Sequence, residues 1–137
     1  MKVKGLDGKE HVWTLSSSSL KDDSRSGLHL KARQLLNELF PYDKIYEDVT
    51  LPGSNRQTRN STLYGDFYIP IRSIMIEVQG NQHNEYVKFF HKTKHNFYKS
   101  LQRDKDKAEW CNINGITLIK LNHDQTVDQW RKCINEA

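Results

Sequence analysis

Between Leu28 and Phe40 the apolar residues Leu28, Ala32, Leu35, Leu36 and Leu39 recur at helical spacing, with Ser26 placed to cap the start and Pro41 to close the pattern. This predicts a first helix with one apolar stripe. Three segments then alternate or run apolar between turn residues: Ile45 to Leu51, Leu63 to Ile69 and Ser73 to Val78. Pro52-Gly53-Ser54-Asn55 with Asn60-Ser61, and Pro70-Ile71-Arg72, mark the turns between them, so an antiparallel meander is expected. Farther on, Phe97, Leu101, Asp104, Ala108 and Cys111 share one helical face, which predicts a second helix from about Asn96 to Asn114, stopped by Gly115. Ile116 to Leu121 is short and β-branched, hence a buried strand, and Val127 to Ile134 closes the chain as a short helix.

The order α-β-β-β-α-β-α describes a mixed α/β layer structure in which helices cover a central sheet. Ahead of it, Val3 to Leu15 reads as a small β-hairpin turning at Leu6-Asp7-Gly8, with Trp13 assigned to a core, and Ser16 to Ser24 reads as a polar linker. Residues 1–25 are therefore expected to form a hairpin and linker, and 26–137 the main domain. The length of 137 residues, 36% of them hydrophobic, suits one small core. No window resembles a membrane span or a signal peptide, so a soluble, intracellular, cytoplasmic protein with no membrane partner is expected. Cys111 and Cys133 form no CxxC pair and stand as ordinary thiols.

The net charge of +4 becomes informative through its location. Lys88, Lys92, Lys94, Lys99, Arg103, Lys105 and Lys107 face only Asp104 and Asp106 in that stretch, with Phe89, Phe90, Phe97 and Tyr98 interleaved. Such a run can grip phosphates and stack bases, although a solvated helix face over an aromatic stripe has the same appearance. Two acids stand out inside apolar strands: Asp66 in Leu63–Tyr68 and Glu77 in Ile74–Gly80. Burying carboxylates is costly without a cation, and adjacent strands sit about 4.8 Å apart, so the two side chains can share a hard divalent ion. Gln79 lies two residues beyond Glu77 and shares its face, where it can orient a water. The competing reading pairs each acid with a lysine or arginine, or leaves it in solvent.

Asp66-Phe67-Tyr68-Ile69-Pro70, then Ile76-Glu77-Val78-Gln79-Gly80-Asn81-Gln82-His83, then Arg103-Asp104 before Gly115-Ile116-Thr117-Leu118-Ile119, resemble the PD-(D/E)xK nuclease superfamily, most closely its branch of very-short-patch-repair endonucleases. The similarity covers roughly Ser26 to Leu121. It implies a restriction-endonuclease-like sheet and a Mg²⁺-dependent DNA endonuclease, with Mn²⁺ as substitute, in the bacterial cytoplasm or carried by a phage. By the same resemblance Asp66 and Glu77 are metal ligands, Gln79 stands where the superfamily more often has lysine, and His83 assists as a base or phosphate contact. The superfamily tends to carry an acid in its first helix; here the candidates are Glu38, as a third metal ligand, or His29. Lys31, Arg33, Lys92, Lys94, Lys99, Arg103, Lys105 and Lys107 are the expected DNA contacts. So small a chain leaves little surface for reading a long target, which makes a homodimer or distorted DNA an expected partner. The alternative is a nucleic-acid-binding module that keeps the nuclease fold without turnover, suggested by glutamine at position 79.

Overall fold

A computed structural model describes residues 1–15, 27–56, 62–79 and 94–137, the side chains of 94–97 excepted. The expected linker and the Ser26 cap lie outside these residues. A two-stranded antiparallel hairpin, β1 (Lys2–Lys4) and β2 (Glu10–Val12), is followed by α1 (Gly27–Leu39), β3 (Tyr46–Leu51), β4 (Leu63–Ile69), β5 (Ile74–Gln79), α2 (Lys94–Ile113), β6 (Thr117–Asn122) and α3 (Val127–Asn135). The fold is mixed α/β. Strands β3-β4-β5-β6 form one sheet in that order, antiparallel up to β5 and parallel between β5 and β6. Among the described residues no helix is long and apolar enough to cross a membrane.

Apolar periodicity explains most of this layering. Ala32, Leu35 and Leu36 of α1 meet Phe67, Ile69, Ile76 and Leu121 of the sheet and Trp130 of α3 in one cluster. On the other face, Trp110 and Cys111 of α2 pack with Leu51, Tyr68 and Met75. Met75 and Ile76 therefore lie on opposite faces of β5 and both are fully buried, as expected of a strand covered on two sides. Gly115, at φ +67, ends α2, and the Ile116 N–H returns to the Cys111 carbonyl at 2.8 Å. Thr126 and Gln129 cap α3 with a reciprocal capping box.

The hairpin is tied into this second face. Val3 and Trp13 belong to the α2-side cluster, the tilted rings of Trp13 and Tyr68 have centroids 4.6 Å apart, and Trp13 Nε1 donates to the Thr50 carbonyl at 2.7 Å. Asn114, just past α2, accepts from the Lys4 N–H at 2.8 Å and donates to the Lys4 carbonyl at 2.9 Å. The Leu6 N–H donates to the Gly53 carbonyl at 2.8 Å.

Helix α2 departs from the expected face. Leu101 and Ala108 are exposed, whereas Ser100, Asp106, Trp110 and Cys111 are buried and Lys107 is half-buried. The bulk of Trp110 fixes the rotation, and polar partners make the rest of the stripe tolerable. Asp106, 0% exposed, accepts from Arg56 at 3.1 Å and from Gln102 at 3.0 Å. Simple counting of apolar residues misses a helix face built from satisfied charges.

Candidate metal centre

The sheet is regular except at one place. Glu47 pairs with Phe67 and Val49 with Gly65, so Asp48 and Asp66 fall opposite each other. Asp48 has φ +52, a left-handed conformation that aspartate tolerates better than most residues. Tyr46 and Val49 are three apart yet both pack on the α2-side cluster, so β3 changes its facing across Asp48. In β4, Leu63 packs on that side and Phe67 on the other, so β4 changes its facing before Phe67. Pairing between β4 and β5 begins at Phe67 and Ile76, and past that point Asp66 Oδ2 accepts the Val78 N–H at 2.8 Å. A side-chain carboxylate has taken the place of a strand carbonyl, and the two strands part there.

Acidic groups gather at this opening. His29, Asp48 and Asp66 each present a ligand atom within 4.8 Å of the others. His29 reaches the site from the first turn of α1, stacked on Phe67 with ring centroids 4.5 Å apart. Its Nε2 lies 2.6 Å from Glu47 Oε1, and Glu47 is gripped by Arg33 through Nε at 2.9 Å and Nη2 at 3.0 Å. Glu77, 8% exposed, lies beside Asp66. Burial, and then the charge of Asp66, push its carboxyl up to about 8 despite the opposing Lys107 ammonium. Lys107 Nζ sits 2.9 Å from the buried Glu77 Oε1 and gives it an ion-pair partner from within the protein.

The expected site residues are thus distributed unevenly. Asp66 and Glu77 come together, and Gln79, buried on the same strand, follows Glu77. Of the first-helix candidates, His29 joins the cluster, whereas Glu38 is exposed and pairs with Arg131 at 3.1 Å. His83 and Lys92 lie outside the described residues, as does the side chain of Lys94. Lys99, Arg103 and Lys105 are exposed on α2. Arg33 and Lys107, expected as DNA contacts, pair with Glu47 and Glu77, two acidic side chains that the fold has largely removed from water. Lys31 lies over the Trp130 ring at 4.6 Å. Sequence reasoning passed over Asp48, although consecutive acids in Tyr46-Glu47-Asp48-Val49 already break the strand's alternation.

The donor types suit a divalent cation: the Asp66 and Glu77 carboxyl groups lie side by side, and His29 and Asp48 present ligand atoms within 4.8 Å of Asp66. No family model matches the chain, and no solved structure matches it. Among curated proteins the chain is similar to Uncharacterized protein 307L of Invertebrate iridescent virus 6, with 33% identity over 82 residues, or 59% of this chain and 42% of that protein. The chain accordingly spans less than half the length of that relative.

Proposed function

We propose that this protein is a metal-dependent DNA endonuclease with a restriction-endonuclease-like sheet, hydrolysing phosphodiester bonds at the opening between β4 and β5. The observation that carries the reading is the convergence of the Asp66 and Glu77 side chains, Glu77 being buried beside Asp66. Two adjacent carboxylates held out of water favour a cation between them, and all-oxygen ligation suits Mg²⁺, with Mn²⁺ as substitute. When bound, such an ion supplies Lewis-acid stabilisation of the phosphodiester and a more acidic water.

The chain's own groups have distinct tasks. Asp66 and Glu77 hold the ion, and the Val78 N–H fixes the orientation of Asp66. Lys107 brings from α2 the positive charge that position 79 lacks, close enough to Glu77 to face the scissile phosphate. The Gln79 amide orients water on the same strand face. Lys99, Arg103 and Lys105 hold the DNA backbone without reading bases, joined by Lys92 and Lys94. A homodimer would place one such site on each strand.

Supercoiled plasmid, linear, branched and mismatched duplexes incubated with Mg²⁺ or Mn²⁺ test the activity and its substrate together. Cleavage is expected in the parent and a loss of at least 100-fold in Glu77→Gln and Asp66→Asn, a size typical of losing transition-state electrostatics. Equal cleavage by parent and both variants overturns the assignment.

One observation favours a second reading, a nucleic-acid-binding module without turnover: Lys107 already gives Glu77 a cation from within the protein. Calorimetric titration separates the two, since a module neutralised by Lys107 alone takes up no Mg²⁺ or Mn²⁺.

A further inference from the structure

We propose that Asn122 is a positioning residue that holds, together with Gln79, the water that attacks the phosphodiester; the attack rests on the nuclease reading above, and the water subsite does not. Parallel pairing of β5 with β6 sets Asn122 directly beside Gln79. Leu118 packs on the α2 side of the sheet and Leu121 on the other, so Asn122 projects to the α2 side. Glu77 meets Lys107 on that same face, and Gln79 follows it there. Neighbouring strands stand about 4.8 Å apart, a gap that one water bridges between two carboxamides. Both strands end at this pair, and the carboxyl ends of parallel strands are where open α/β sheets take their ligands.

The backbone of Asn122 is fully engaged, whereas its side-chain oxygen is not. Its N–H donates to Gln125 Oε1 at 3.1 Å, and its carbonyl accepts from the Trp130 indole at 2.9 Å and from the Gln125 N–H at 3.1 Å. Trp130 is fully buried, so α3 holds the end of β6 in place. On that fixed backbone, Asn122 Oδ1 is buried with no hydrogen-bond partner among the described residues. A buried acceptor left unmet is costly, and ordered water is its usual partner where the protein supplies none.

The water donates to Asn122 Oδ1 and is held on its other side by the Gln79 carboxamide, which leaves a lone pair free for phosphorus. In the hydrolytic step the water oxygen bonds to phosphorus as the bond to the leaving sugar oxygen breaks. One water proton passes to solvent, and the leaving oxygen takes one up. Neither carboxamide titrates, so the two residues aim the nucleophile without exchanging protons.

Nuclear magnetic resonance of the ¹⁵N-labelled full chain reads the water without DNA. The Gln79 and Asn122 side-chain amides should show nuclear Overhauser contacts to a long-lived water, and Asn122→Leu should abolish the contact at Gln79. Leucine matches asparagine in shape, so the melting temperature should hold or rise, where a purely structural asparagine would lower it. In single-turnover cleavage with Mn²⁺, Asn122→Leu should lower the rate at saturating DNA by about 10- to 100-fold. DNA affinity with chelator present, and Mn²⁺ uptake, should change by less than about twofold. Asn122→Ser keeps an acceptor oxygen and should recover part of the rate. Gln79→Leu combined with Asn122→Leu should cost little more than the worse single change, because the two residues hold one water. Asn122→Ala stands in if leucine disrupts the fold. No long-lived water at either amide of the parent, or cleavage unchanged in both Asn122→Leu and Asn122→Ala, overturns the proposal, as does a loss of rate matched by an equal loss of DNA affinity. A parent that holds the water and does not cleave keeps the subsite and removes the nuclease reading; a parent that cleaves without the water signal does the reverse.

Discussion

Glu77 makes the stability of the ion-free protein depend on pH in an unusual direction. Its folded carboxyl titrates at about 8, against an ordinary value of 4.5, so between those limits the folded chain retains a proton that the unfolded chain has lost. Its contribution is therefore fully favourable below the unfolded value and declines as pH rises toward 8. Urea denaturation with chelator present should show stability falling from pH 5 to pH 8, and Glu77→Gln should flatten that slope. Cation uptake competes with the same proton, so apparent Mg²⁺ affinity should climb over this range. Lys107→Met supplies the complement. Removing the ammonium raises the Glu77 carboxyl further, so the variant should lose more stability at pH 9 than at pH 6, where Glu77 is protonated in either protein. Asp66 and Glu77 were legible in the sequence because charged residues inside apolar strands are conspicuous. Asp48 and the inward turn of Lys107 were not, since one depends on a backbone reversal and the other on which face of α2 is buried.

Elements announce themselves where burial follows a simple period. Helices α1 and α3 and strands β3 to β6 lie within about two residues of their expected bounds, whereas the parallel pairing of β5 with β6 across α2 is shown only by the structure. The face of α2 was hidden because Asp106 and Lys107 enter the interior through ion pairs with Arg56 and Glu77, which a hydrophobic count scores as surface. The β1–β2 hairpin gave a similar contrast: its turn is written in Leu6-Asp7-Gly8, its docking only in tertiary contacts. Trp13→Ala should cost about 3–5 kcal/mol in chemical denaturation, the range for emptying a buried aromatic site, where an undocked hairpin would lose almost nothing. Gly53 is equally constrained. It has φ +74, and an added Cβ would come within 2.7 Å of the Gly5 backbone, so Gly53→Ala should push the hairpin away and lower the melting temperature. The burial of α2 also separates the two thiols. Burial pushes Cys111 up to about 12, leaving it protonated at neutral pH, while Cys133 is half-exposed. Iodoacetamide on the native protein should label Cys133 and reach Cys111 only after unfolding.

At the scale of the whole molecule, the proposed ion site and the exposed cations of α2 can be tested apart. Lys99→Ala and Arg103→Ala should each reduce the dependence of DNA affinity on log salt concentration by about 1, measured by fluorescence anisotropy, with little change in metal uptake. An ion held by Asp66 and Glu77 would act on the fold itself, because its ligands come from β4 and β5, whose backbone pairing ends at Phe67 and Ile76. Ion at about 100 times its dissociation constant should add about 2.7 kcal/mol and raise the melting temperature by several degrees. The amide that Asp66 captures from Val78 gives this coupling a spectroscopic handle. Its proton senses the electron density of the very carboxylate expected to bind metal, so on titration with a diamagnetic cation the Val78 resonance should shift in proportion to occupancy. That single backbone signal would serve as a gauge of loading, readable at every pH and in every variant that leaves Asp66 in place.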